Sequence, residues 1–212
     1  MKKIINPWKG MEGYNCFGCA PNNEAGVKME FYEDGDEVIS IWKPQPQFQG
    51  WIDTLHGGIQ AVLLDEICAW VILRKMQTTG VTSKMETRYM KPISTNDSHI
   101  VLRASIKEVK RNIILVDAAI YNNKEELCTK ALCTYFTFSQ EKAKEEMHFL
   151  HCDVESDEQL PICIKILFLS SFSKCFPSTN LYAPDTNFVS FDESLTPVNI
   201  TVLLKFFALL GD

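Results

Sequence analysis

Positive charge is in short supply in this chain. Lys and Arg number 21 against 27 Asp and Glu, a formal net charge of -6 at pH 7. A protein that binds a phosphate backbone needs a basic face, so a nucleic-acid partner is excluded. Long apolar runs are missing as well. Ile162 to Phe172 contains Lys165, and both it and Thr201 to Leu210 fall short of the roughly 20 residues that cross a bilayer. No membrane span is expected. The opening Met1-Lys2-Lys3-Ile4-Ile5 carries two cations but no apolar core region before Pro7, Trp8 and Lys9, so no signal peptide and a cytoplasmic location are expected. There is no internal repeat. Paired metal ligands are scarce too: Cys16 and Cys19 form a lone C-x-x-C, and His148, His151 and Cys152 lie in a separate polar stretch. A structural zinc site needs four ligands. Neither a metal nor a cofactor is therefore expected, and the two thiols are read as packing around a turn at Gly18. The eight Cys are mostly scattered singly, which fits reduced structural thiols better than a disulfide framework.

The remaining composition is ordinary. With 212 residues, 46% hydrophobic and 23% charged, the chain can build one core, with or without an appendage. Its organising stretch runs from Leu55 to Leu73, where His56-Gly57-Gly58 opens an almost wholly apolar helix interrupted by Asp65-Glu66 and followed by Arg74-Lys75. A helix apolar on all faces is enclosed. A carboxylate buried there without a partner costs several kcal/mol, so one of the acidic pair should have a use or a mate. The glycines let a ligand approach the backbone, and the free amides of a helix start can hold developing negative charge. Oxyanion donors and an acid on one helix point to acyl transfer.

Around this helix, strands are expected. Val27 to Glu33 and Glu37 to Lys43 alternate about Asp34-Gly35, a hairpin signal. The loop containing Pro44, Pro46 and Gly50 leads to Trp51. The helix is expected from Gly58 to Gln77, stopping before Gly80. Strands at Val81–Met90, Ile100–Val109, Ile113–Tyr121 and Leu127–Phe138 follow, with Ile100, Leu102, Ala104 and Ile106 alternating against Arg103, Ser105 and Lys107. Two strands, one helix and four antiparallel strands make an α+β sheet wrapped around one long central helix. Residues 1–26 read as an irregular lead-in over the core. Residues 141–159 read as a polar spacer after the domain of residues 1–140, and 160–212 as a C-terminal extension without lasting period.

His-Gly-Gly followed by an Asp nine positions after the His, the strand ending Tyr89-Met90-Lys91-Pro92, and the opening Cys16-Phe17-Gly18-Cys19-Ala20-Pro21-Asn22-Asn23 with Gly26-Val27-Lys28-Met29 resemble the hotdog-fold acyl-CoA thioesterases of the PaaI type. The likeness spans roughly residues 6 to 140. It implies a hotdog fold, an acyl-CoA substrate and active sites built at a dimer interface, in a homodimer or a dimer of dimers. It also implies Asp65 as general base or nucleophile, the Gly57 and Gly58 amides as oxyanion donors, and Thr82 as a hydroxyl that positions water or the carboxylate. In such a family the loop before the helix helps form the acyl pocket, which brings in Phe48 and Trp51.

Alternatives stand beside several of these roles. Glu66 competes with Asp65 but points about 100° away on the helix. His56 is a candidate general acid, or else holds the turn through a backbone hydrogen bond. Arg88, Lys91, Lys110 and Arg111 are candidate phosphate contacts for coenzyme A, or solvated surface cations; Lys91 has the best case because it lies in the Tyr-Met-Lys-Pro turn. From Gly58 to Asp65 is seven residues, roughly 10 Å along a helix. The two groups cannot serve one carbonyl from the same helix, so the acid is expected to face glycines of a second subunit. Three functions compete. The first is a thioesterase; the second is a non-catalytic acyl-CoA-binding hotdog module. The third, a hotdog dehydratase, uses a His-Phe-Pro type loop that this chain lacks.

Overall fold

The computed structural model describes residues 1–155. The expected extension, and the last part of the expected spacer, lie outside the described residues. The elements are β1 (Lys2–Lys3), β2 (Tyr32–Asp34), β3 (Glu37–Trp42), β4 (Gln49–Trp51), β5 (Thr54–Leu55), α1 (Gly57–Val71), β6 (Gly80–Tyr89), β7 (Ile100–Lys110), β8 (Ile113–Tyr121), β9 (Leu127–Thr137) and α2 (Gln140–Met147). Seven strands form one antiparallel sheet in the order β1-β2-β3-β7-β8-β9-β6, and β4 and β5 make a small hairpin before α1. α1 lies across the sheet and touches β3, β6, β7, β8 and β9. This is the α+β sheet around a central helix that the hydrophobic pattern called for.

The alternation works as expected. Ile100, Leu102 and Ala104 of β7, Ile114, Val116 and Ile120 of β8, and Cys133 and Tyr135 of β9 are buried beneath Leu63, Leu64, Ile67, Cys68 and Val71 of α1. Each fully buried Leu or Ile contributes about 1.5–3 kcal/mol. Trp70 stacks on Phe31 with centroids 4.3 Å apart. α1 runs on through a wider π-helical turn at Ile72–Met76 and stops at Gln77, whose φ of 51° ends it three residues ahead of Gly80.

Three expectations need correction. β2 begins at Tyr32 because Lys28 adopts φ 53° and breaks the extended run; Val27 and Met29 instead donate to the carbonyls of Phe17 and Gly18 at 2.9 and 2.8 Å. The lead-in is thus bonded to the core's rim. Next, α1 is not enclosed all round: Val62, Asp65, Glu66 and Ala69 are only partly covered, because β6 is the sheet's edge and nothing among the described residues lies beyond it. Finally, residues 141–155 are no spacer. Ala143, Phe149 and Cys152 are buried, Arg74 Nη1 donates to the Cys152 carbonyl at 2.9 Å, and the amides of Ile5 and Glu155 donate to the carbonyls of Asp153 and Lys3 at 2.8 Å. Three apolar anchors, Ala143, Phe149 and Cys152, were enough to return a polar-looking stretch to the core.

Candidate active site

The helix start is built by His56. As N-cap its Nδ1 accepts from the Gly58 amide at 2.8 Å, which places the ring proton on Nε2. That bond removes Gly58 from the pair of amides expected to face a ligand. The Gly57 amide keeps no hydrogen-bond partner among the described residues. Tyr89 at the end of β6 donates its hydroxyl to the Gly57 carbonyl at 2.9 Å, closing one side of the turn. A methyl at Gly57 would meet the Tyr89 ring at 3.5 Å, whereas one at Gly58 would stand 3.0 Å from His56 Nδ1. A depression of about 400 Å³ opens here, lined by Gly50, Trp51, Thr54, Leu55, His56 and Gly57. Trp51 and Ile52 at the hairpin tip are 83% and 86% exposed. Phe48 is half-buried and leans on Trp42, with centroids 5.7 Å apart. Trp51 therefore borders the depression, and Phe48 packs on the core.

Two turns along, Asp65 faces β6 and β9. Thr82 Oγ1 donates to its Oδ1 at 2.7 Å, and Tyr135 OH lies 2.9 Å from the Asp65 carbonyl and 3.4 Å from Oδ1. Burial, with the Asp65 charge next, raises the Tyr135 pKa, so its hydroxyl stays a donor. Oδ2 has no hydrogen-bond partner among the described residues. The carboxylate is thus gripped by one oxygen and left open at the other, on the uncovered flank of α1. Glu66 points elsewhere: it accepts from Trp70 Nε1 at 3.0 Å and lies against Cys16.

The candidate cations do not converge on this region. Arg88 pairs in register with Lys130 on the sheet face opposite α1, where it lines a hollow with Arg103, Lys107 and Asp117. Lys91 is held by Glu126 at 2.7 Å, and that hydrogen bond raises its pKa. Arg111 occupies the β7–β8 turn with φ 57°, and Lys110 pairs with Glu108 at 2.8 Å. Tyr135 and Tyr89 were not singled out in the sequence. A strand tyrosine that reaches a helix has no local signature; only the 82↔135 register shows that Thr82 and Tyr135 share a face.

The match with known proteins falls on this part of the chain. Residues 53–129 match the family model described as Thioesterase superfamily. A Thermoplasma acidophilum protein, carrying the provisional name of an esterase, is 26% identical over 87 residues, 41% of this chain and 64% of that protein. A similarly named protein of Saccharolobus solfataricus is 27% identical over 95 residues, 44% and 61% of the two chains. The matches thus span under two thirds of those relatives' own length. Among solved structures, a thioesterase superfamily protein shares the fold at a TM-score of 0.53 and 20% identity, covering 57% of this chain and 62% of that one. A Streptococcus mutans protein bound to acetyl-CoA gives 0.51 and 16%, covering 62% and 98%. The E. coli PaaI protein gives 0.50 and 14%, covering 54% and 82%. The sheet-and-helix architecture is therefore the hotdog fold of thioesterases.

Proposed function

We propose that this protein hydrolyses acyl-CoA thioesters to the free acid and coenzyme A, and that it is of the PaaI type. The observation that carries the reading is the Asp65 carboxylate, positioned by Thr82 and Tyr135 through one oxygen while the other is unpaired on an uncovered flank of the central helix. A carboxylate so held is ready either to take a proton from attacking water or to attack the thioester carbonyl itself. The Gly57 amide and the positive end of α1 would receive the developing oxyanion, with Gly58 engaged by His56 as the cap. The acyl chain would enter the depression bordered by Trp51 and Leu55. That the S. mutans neighbour binds acetyl-CoA supports the substrate class.

Assembly follows from distance. Gly57 and Asp65 are eight residues apart, roughly 12 Å along the helix. One thioester carbonyl would then be served by Gly57 of one subunit and Asp65 of another, in a homodimer or a dimer of dimers. The exposed Trp51, Ile52, Val81, Tyr89 and Met90 along the helix start and the β6 edge supply apolar surface for such a contact. Of the candidate cations, Lys91, next to the exposed Tyr89 and Met90, would meet the coenzyme's phosphates at that interface, while Arg88 and Arg111 lie away from it. Assay of the purified protein against a panel of acyl-CoAs with a thiol-trapping reagent tests the reading. Release of coenzyme A abolished by Asp65→Asn is expected. Tight acyl-CoA binding without turnover would instead identify a non-catalytic acyl-CoA-binding module.

A further inference from the structure

The C-x-x-C of the lead-in, read in the sequence as a packing turn, meets an acidic side chain in the fold. Cys16 Sγ, Cys19 Sγ and a Glu66 carboxylate oxygen all lie within 4.8 Å of one another. The Glu66 oxygens stand 3.8 and 3.7 Å from Cys16 Sγ. A tetrahedral ion with sulfurs about 2.3 Å and an oxygen about 2.1 Å away has ligand–ligand edges of about 3.5–3.8 Å. The loop is shaped to admit Glu66: a Cβ at Gly18 would fall on its carboxylate. Two of the three ligand atoms also have an orienting neighbour. Trp70 Nε1 donates to Oε1 at 3.0 Å. Tyr14 OH stands 2.9 Å from Cys19 Sγ, its own acceptor lone pair used by Asn6 Nδ2 at 2.8 Å. Such outer partners hold metal ligands in place.

Charge completes the case. Among the described residues no Lys or Arg pairs with Glu66 or acts on either thiol. Carboxylate and thiols share a partly buried place with no cation of the protein's own. We propose that Cys16, Cys19 and Glu66 bind a divalent cation of the zinc class, with the fourth position open to a cavity of about 310 Å³ lined by Trp8, Ala69, Trp70 and Tyr135. A two-sulfur, one-oxygen set selects a borderline-soft ion over magnesium or calcium. The ion pins the lead-in to α1 one residue on from Asp65, through side chains that make no hydrogen bond to the Asp65 carboxylate, although Tyr135 both lines the cavity and bonds to Asp65.

The full-length protein, purified in reductant without an affinity tag of histidines, is titrated with zinc and, separately, with cobalt. Expected are about one equivalent of bound zinc per chain, a sulfur-to-cobalt charge-transfer band, and a melting temperature raised by zinc by roughly 5 °C or more. Asp65→Asn should keep all three. Cys16→Ser with Cys19→Ser should lose them, and Glu66→Gln, which leaves the thiols in place, should weaken zinc at least about tenfold. If the wild type binds less than about a tenth of an equivalent, or if Glu66→Gln binds zinc as tightly as the wild type, the assignment is wrong. Should the double cysteine variant fail to fold, Glu66→Gln alone decides.

Discussion

Adjacent acids on α1, Asp65 and Glu66, are sent to different neighbours by a rotation of about 100° per residue. Asp65 meets a threonine and a tyrosine of the sheet, and Glu66 meets an indole and two thiols. Asp65→Asn should leave the fold intact, since the amide can still accept from Thr82, while turnover falls at least about 100-fold, the scale of a lost base or nucleophile. Thr82→Val should cost roughly tenfold, because the bond it makes to a charged oxygen is worth about 1.5–3 kcal/mol and Tyr135 remains. Glu66→Gln should change turnover only a few-fold. Steady-state kinetics on the three variants checks the order. A Glu66 variant slower than the Asp65 variant would overturn the assignment. Asp65 was legible because an acid inside an apolar helix has to be explained. Tyr135 was not, because its role depends on a partner 70 residues away.

At the scale of elements, the end of α1 is tied to the β2–β3 hairpin by one carboxylate. Glu33 accepts from Arg74 at 2.9 Å and Lys75 at 2.5 Å, all three side chains being largely covered. Burial raises the Glu33 pKa, but the Arg74 and Lys75 hydrogen bonds outweigh it and hold the group below its ordinary 4.5. A depressed carboxylate contributes stability that is fully present above the unfolded value and is lost as pH falls through the folded one. Glu33→Gln should therefore lower the melting temperature by a few degrees at pH 7, for a loss of about 1–3 kcal/mol. The gap between variant and wild type should close as pH drops below 4.5, the ordinary value for this group. Thermal melts at pH 7 and in the acid range test this; a gap that stays constant would show that the clamp does not titrate. Arg74 and Lys75 stood out in the sequence as helix-end cations. Their carboxylate lies 41 and 42 residues upstream, and only the fold brings it near.

For the whole molecule, two predictions concern where the folding unit ends and how many chains make a site. A chain ending at residue 145 would lose Phe149, Cys152 and the bonds to Ile5, Arg74 and Gln77. Loss of one buried Phe alone costs about 3–5 kcal/mol, so such a chain should melt about 10 °C lower or more. One ending at residue 155 should match the full chain over these elements. Equal melting of both truncations would mean that residues 146–155 contribute nothing. The second prediction is complementation: Asp65→Asn protein mixed with Gly57→Phe protein, whose bulk would displace Tyr89, should form mixed dimers with one intact site in each. With random exchange about half of the dimers are mixed, so roughly a quarter of wild-type activity should return and vanish on dilution below dimer dissociation. If mass measurements show mixed dimers and no activity returns, the site is not shared.

Composition and pattern alone determined the succession of strands, the single apolar helix and the acid within it. These features are written in periods of 2 and 3.6 residues, which are local. The tertiary structure decided what depends on pairs distant in sequence. Register put Thr82 and Tyr135 beside Asp65, the capping bond engaged the Gly58 amide with His56, and three buried side chains drew residues 141–155 back to the core. It also brought Glu66 to Cys16 and Cys19 across about fifty residues of chain. A two-ligand motif becomes a three-ligand cluster only when the helix turns its next residue toward that loop, because helix rotation and loop path together set the angle.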